Sequence, residues 1–273
     1  MYTCPLCKAP LVRQAQRWAC ENRHSFDIAK EGYVNLLPVQ NKRSLTPGDN
    51  AEMMQARRAF LNQGFYQPLA DNLAGQLQRL LSAQAKLLDL GCGEGYYTQS
   101  VAAKLNDYAG VKRDVWGIDI SKTAIRYASK REPSIAFSVA SAYQLPFADD
   151  CFDALIRVYA PSEPNELKRV IKTGGYLLTV QPGAEHLIEL KHAIYQTPRL
   201  HDETYSPCDG FALIHQKNLR YTLNLNTAND VLNLINMTPF GWKLQNDKKQ
   251  QISQTIDFVQ ADFLIQLHQK LPQ

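Results

Sequence analysis

The stretch LLDLGCGEG, residues 87–95, decides the architecture. Three leucines around Asp89 read as a buried strand, and Gly91, Gly93 and Gly95 then recur at every second position. Such glycines let the backbone turn sharply and approach a ligand where a Cβ would collide. The next segment, YYTQSVAAKL, reads as a helix, so the stretch is a strand, a glycine turn and a helix in sequence. Outward from it come the strand VWGIDI, the helix SKTAIRYASK opened by Ser121, and the strands IAFSVA, DALIRVY and GYLLTVQ. This order predicts an α/β fold with a doubly wound parallel sheet, whose ligand lies beyond the carboxyl ends of the strands. Near the C-terminus, LRYTLNL and TIDFVQADFLIQL flank the helix TANDVLNLI and suit an antiparallel pair at the sheet edge. Upstream, apolar residues three or four apart predict helices at 51–62 and 66–81 that pack on the sheet.

The glycine spacing bears on the ligand. A dinucleotide site reads G-x-G-x-x-G, with helix-start amides facing a pyrophosphate. Here the third glycine comes one residue early, and Glu94 places a carboxylate where the pyrophosphate would sit. A ligand with an amino group, a sulfonium and no phosphate tolerates that carboxylate better, and S-adenosylmethionine fits the description. Asp119, ending the strand in GIDIS, can accept hydrogen bonds from both ribose hydroxyls or serve the helix that starts at 121. Asp89 is expected to order the glycine loop, and Cys92 and Cys151 to pack.

A different chemistry occupies the N-terminus. TCPLCKAPLVRQAQRWACENRH carries Cys4-x2-Cys7 and Cys20-x3-His24, two ligand pairs separated by a loop long enough to close a tetrahedron. Three sulfurs and one nitrogen favour zinc, and four protein ligands make the site structural. Some twenty residues bury too little apolar surface to fold alone, so metal binding would be part of the folding free energy. Residues 1–45 hold seven basic residues (Lys8, Arg13, Arg17, Arg23, Lys30, Lys42, Arg43) against Glu21, Asp27 and Glu31, which accounts for the chain's whole net charge of +4. Interleaved with Trp18, Phe26 and Tyr33, these cations suit a phosphate backbone and exposed bases; a merely solvated basic surface is the other reading. NKRSLTPGDN, with Pro47 and Gly48, reads as a linker, which divides the chain into 1–45 and 46–273.

At 273 residues, 45% hydrophobic and 21% charged, the chain suffices for one large globular domain plus a small appendage. No apolar run approaches a spanning helix and no signal peptide is seen, so no membrane association and a cytoplasmic location are expected. Reduced thiols there favour metal over disulfide.

LLDLGCGEG, WGIDIS, AYQLPFADDCFD and LKRVIKTGGYLL together resemble the class I S-adenosylmethionine-dependent methyltransferases, with their Rossmann-like sheet, over about residues 86–181. The pattern departs from the family's common form at Ser141, where many members carry an aspartate for the adenine amino group. Adding the knuckle, AKEGYVNLLP, GDNAEMMQARRAFL, GFYQPL and MTPF, the chain is similar along nearly its full length to the RlmA-type 23S rRNA guanine-N1 methyltransferases. That resemblance implies one structural zinc, S-adenosylmethionine as cofactor, a hairpin of 23S rRNA as substrate modified at nucleotide 745, and a homodimer. It also implies cofactor contacts at Tyr66, Gly93, Glu94 and His186; by themselves Tyr66 would read as a helix-packing aromatic and His186 as a surface histidine.

Guanine N1 is a Watson–Crick edge atom hidden in a duplex, so an enzyme acting there must take an unpaired or extruded base. N1 must also lose its proton, which calls for a general base or a path to water. Tyr159, Ser162 and Glu163 follow DALIRVY closely, and nothing in the sequence selects among them. Competing readings are a small-molecule methyltransferase of the quinone type, a non-enzymatic zinc-dependent RNA-binding protein, and an NAD oxidoreductase. The first has no need of a basic zinc module, the second none of an intact glycine loop, and the third is disfavoured by glycine spacing and Glu94.

Overall fold

The computed structural model describes residues 1–41, 50–109, 114–203 and 208–272. Residues 42–49 of the expected linker, and with them the boundary between residues 45 and 46, lie outside the described residues. The chain opens with a small antiparallel ribbon of β1 (Val12–Gln14), β2 (Arg17–Ala19) and β3 (Ser25–Asp27). The chain then reaches β4 (Val34–Asn35), which pairs in parallel with a strand of the main sheet.

After α1 (Ala51–Asn62) and α2 (Gln67–Leu80), strands and helices alternate. They are β5 (Lys86–Leu90), α3 (Tyr96–Ala109), β6 (Asp114–Asp119), α4 (Lys122–Arg131), β7 (Ala136–Val139), β8 (Phe152–Val158), α5 (Pro164–Val170) and β9 (Ile171–Pro182). The chain ends through α6 (Ile188–Ile194), β10 (Phe211–Asn224), α7 (Ala228–Asn236), α8 (Phe240–Lys243), α9 (Asn246–Ser253) and β11 (Phe258–Lys270). The eight-stranded sheet runs β10-β11-β9-β8-β5-β6-β7-β4, with β11 antiparallel to both β9 and β10. The expected doubly wound sheet with an antiparallel edge is present.

Burial explains the strand sequences. Leu87 to Leu90 are all buried because both faces of the central strands are covered, one by α2, α3 and α4 and the other by α5, Phe147 and residues of the N-terminal ribbon. The strand therefore reads as continuous apolar residues and not as an alternation. α4 buries Ala124, Ala128 and Ser129, small enough for close approach, together with Ile125, and Ser121 caps it by accepting from the Ala124 N–H. α7 starts with a reciprocal capping box between Thr227 and Asp230.

The ribbon is fixed to the sheet twice. β4 extends the sheet beyond β7, and Tyr2 inserts between the two parts, stacked on Phe147 and edge-on to Trp18 and Trp116. The Thr3 N–H donates to the Pro146 carbonyl at 2.9 Å.

Candidate active site and metal centre

At the carboxyl end of β5 the chain turns through three left-handed glycines, Gly91 (φ 73°), Gly93 (φ 56°) and Gly95 (φ 84°). A Cβ on Gly91 would lie 2.4 Å from the Ala160 Cβ, so the loop closes against the turn that follows β8. The N–H groups of Gly91 and Cys92 both donate to the Ile118 carbonyl at 2.9 Å. The Gly93 N–H donates to Asp119 Oδ2 at 3.0 Å, and the Ser121 N–H to Asp119 Oδ1 at 2.8 Å. Asp119 thus orders the glycine loop and steadies the start of α4 while facing the cavity. Asp89 differs from the expectation: its carboxylate accepts from Thr98 Oγ1 at 2.6 Å and pins α3 to β5. Burial pushes its pKa up to about 7 against that hydrogen bond, with the nearby Asp119 charge adding to the rise.

Glu94 is 1% exposed and forms an ion pair with Arg131 at the end of α4. Oε2 accepts from both Nε and a terminal nitrogen of that guanidinium, whereas buried Oε1 has no hydrogen-bond partner in the protein. Burial raises the Glu94 pKa and Arg131 opposes the rise. A buried acceptor of this kind calls for a donor from a ligand.

These groups line a cavity of about 790 Å³, within the size range of ligand pockets. Tyr66, Gly91, Gly93, Glu94, Asp119, Ser141 and His186, spread over more than a hundred residues of sequence, all face it. Tyr66 is buried at the start of α2 and meets Phe60 and Phe263 edge-on, with centroids 5.3 and 5.0 Å apart. His186 is buried rather than on the surface, and its Nδ1 accepts from the Asp262 N–H at 3.2 Å. The ring proton therefore sits on Nε2, and burial, aided by His201 and Lys191, pushes the pKa down to about 3. Ser141 Oγ accepts from the Tyr143 N–H at 3.2 Å.

The three residues after β8 separate. Tyr159 lines the cavity with a left-handed backbone (φ 55°). Ser162 Oγ instead accepts from Arg157 at 2.8 Å, and the Glu163 carboxylate caps α5. Sequence reasoning missed Lys191, His201 and the Met237–Phe240 turn, all of which face the cavity. His201 lies in an irregular connection without periodicity. Arg131 is a basic residue in the last turn of α4, where a cation suits the helix dipole whether or not it has a partner.

Cys4, Cys7, Cys20 and His24 converge, with their ligand atoms all within 4.8 Å of one another. Tetrahedral zinc with Zn–S near 2.3 Å and Zn–N near 2.0 Å requires S···S edges of about 3.8 Å and S···N edges of about 3.5 Å. Cys7 and Cys20 sulfurs are 3.7 Å apart, and His24 Nδ1 lies 3.4 and 3.5 Å from those of Cys4 and Cys20. The donor set fits a closed structural zinc. Left-handed Lys8 and Arg23 turn the backbone within the two knuckles. Hydrogen bonding from Asn22 holds the Cys7 thiol down to about 6, toward the thiolate a metal needs.

Residues 2–45 match the family model described as "RlmA, N-terminal", and residues 81–236 match that of a methyltransferase domain. The chain is 34% identical over 256 residues to the 23S rRNA (guanine(748)-N(1))-methyltransferase of Streptomyces fradiae, covering 90% of this chain and 87% of that protein. The chain belongs to the RlmA-type rRNA (guanine-N1)-methyltransferases. A putative 23S rRNA (guanine-N(1)-)-methyltransferase of Bacillus subtilis is 32% identical, covering 91% of this chain and 89% of that protein. A third, from Micromonospora griseorubida, is also 32% identical, over 88% of this chain and 86% of its own length. Among the described residues, no helix of this RlmA-type chain is long and apolar enough to cross a membrane.

Proposed function

We propose that this enzyme transfers a methyl group from S-adenosylmethionine to N1 of a specific guanine in a hairpin of 23S rRNA. The observation that carries the reading is the pairing of modules: a glycine-loop cavity and a basic zinc ribbon are fixed to one sheet. A small-molecule methyltransferase needs only the first. Relatives of that kind, such as a demethylmenaquinone methyltransferase from Renibacterium salmoninarum, match 35% of this chain, against 90% for the Streptomyces protein.

Gly91 and Gly93 would allow the cofactor to approach the loop backbone, Glu94 Oε1 and Asp119 would accept hydrogen bonds from it, and Ser141 would offer a hydroxyl in the same cavity. Tyr66 and His186, with ring centroids 6.4 Å apart, line the cavity with them. When bound, S-adenosylmethionine supplies an electrophilic methyl group on a sulfonium. The residues contribute mainly orientation and exclusion of water, which can supply much of a displacement's acceleration. His186 stays neutral at physiological pH and donates from Nε2 rather than adding a positive charge beside a cation. The guanine N1 proton must leave before its lone pair attacks. Ser162 and Glu163 are held by Arg157 and α5, so neither is assigned the proton.

The same reading includes a homodimer, which light scattering would test, and a cytoplasmic location, where ribosomes are built. The Streptomyces relative is named for guanine 748 rather than 745, so the nucleotide must be read directly. Incubation with S-adenosylmethionine and 23S rRNA from cells lacking the gene, followed by mapping of reverse-transcriptase stops, does so. N1 methylation blocks pairing, and one new cofactor-dependent stop beside a guanine is expected. Cofactor binding without any stop, on naked rRNA or precursor particles, refutes the proposal.

A further inference from the structure

The residues beyond 45 carry no net charge, yet the fold concentrates cations on one helix face. α4 has the sequence KTAIRYASKR, with no acidic residue. Its inward face is Ala124, Ile125, Ala128 and Ser129, and its exposed face carries Lys122, Arg126 and Lys130 at four-residue intervals. Four helical residues rise about 6 Å, comparable with the spacing of successive phosphates along a nucleic-acid strand. None of the three cations has an ion-pair partner among the described residues. Glu132, the next acidic residue, directs its carboxylate to Ser134.

The row has a direction. It begins at Lys122, beside Ser121 of the cavity wall, and runs about 12 Å outward to Lys130. Tyr127 lies on the same helix beneath two guanidinium groups, with Arg58 of α1 5.2 Å and Arg126 5.9 Å from its ring centroid. Arg126 also acts electrostatically on Tyr33, the residue before β4 where the chain leaves the ribbon. α4 packs against β7, the strand that β4 extends, and its buried Ile125 and Ala128 share a core with Tyr33, whereas Cys4 and Cys20 of the ribbon pack in the core on the other face of the sheet.

We infer that Lys122, Arg126 and Lys130 form a phosphate track that leads the RNA strand along α4 to the cavity. The inference rests on the proposed rRNA reading and adds to it a surface outside the zinc module. Phosphate contacts of this kind position the strand without reading its sequence.

The test uses the full-length, zinc-loaded protein with Lys122→Gln, Arg126→Gln and Lys130→Gln combined, and Arg79→Gln, Lys217→Gln and Lys248→Gln combined as a control for charge alone. Lys217 lies on β10, at the opposite edge of the sheet. Each phosphate contact with a single strand contributes about 0.7 to the slope of log affinity against log salt, so the triple variant should lose about 2 from the slope. Affinity for the rRNA hairpin should fall on the order of 10- to 100-fold at 0.1 M salt. S-adenosylmethionine affinity, measured by calorimetry, should be unchanged, as should kcat at saturating RNA, with the loss in KM. An unchanged slope in the triple variant, or an equal drop in the control, overturns the track while leaving the methyltransferase reading intact. Failure of the wild-type protein to bind or methylate rRNA at all overturns both.

Discussion

Gly91→Ala tests the glycine loop at the point where it touches the second wall of the cavity. Two costs can be worked out separately. Gly91 sits at φ 73°, and a side chain in the left-handed region costs about 1–2 kcal/mol. The new Cβ would also stand 2.4 Å from the Ala160 Cβ, far inside the usual carbon contact of about 3.5–4.0 Å. A Cβ cannot swing aside as a long side chain can, so the backbone around Ala160 must move; overpacking of this kind costs about 1–3 kcal/mol. The variant should be about 2–5 kcal/mol less stable in urea unfolding, with weaker S-adenosylmethionine binding because the displaced turn carries Tyr159 and Pro161 into the cavity wall. Ala160→Gly removes the obstruction and leaves the backbone cost. A double-mutant cycle should therefore return a favourable coupling of about 1–3 kcal/mol, the packing part alone. A coupling near zero, or wild-type stability in Gly91→Ala, would show that the loop does not press on this turn and refute the reasoning.

Asp89→Asn gives a pH signature. The buried carboxyl titrates at about 7 instead of 3.8, so the folded state holds its proton more tightly than the unfolded chain and loses stability as pH rises through that window. About three pH units correspond to about 4 kcal/mol, as an upper bound, and the stability difference between variant and wild type should grow from pH 4 to 7 and then level off. A difference independent of pH would contradict the assignment. Metal analysis of protein purified without added zinc should find about one equivalent per chain, and Cys7→Ser should lower it. S-adenosylmethionine affinity should survive that substitution because no ribbon residue lines the cavity; loss of cofactor binding in step with zinc would argue against separate roles.

The elements legible in the sequence were those whose pattern is local. LLDLGCGEG gave a strand and a turn because buried leucines and left-handed glycines have few other uses, and the knuckle was legible because ligand spacing is a short-range constraint. The long-range pairings were not. VN at 34–35 is too short to signal a strand and becomes one only because the exposed side of β7 accepts it. The roles of Asp89 and Asp119 were divided by tertiary contacts, Thr98 for one and the Gly93 and Ser121 amides for the other. The basic face of α4 was hidden by counting charge over the chain instead of by helical period, since acidic residues elsewhere cancel it in the sum.

The attachment of the ribbon explains why such a domain begins with a metal-tied knuckle. Strands β1 to β3 are mostly exposed, so little apolar burial of their own holds them, and zinc with the Tyr2, Trp18, Trp116 and Phe147 cluster must do so. β4 then hydrogen-bonds to β7, and β7 leads directly to Ala140 and Ser141 in the cavity wall. A module on a flexible tether would raise the local concentration of the proposed RNA without deciding its register. A module joined through two adjacent strands transmits its orientation to the cavity, so contacts made at the ribbon can determine which base arrives at the glycine loop. On the proposed function, the zinc would act on substrate choice through the sheet edge it helps to hold, at a distance from the groups that face the cavity.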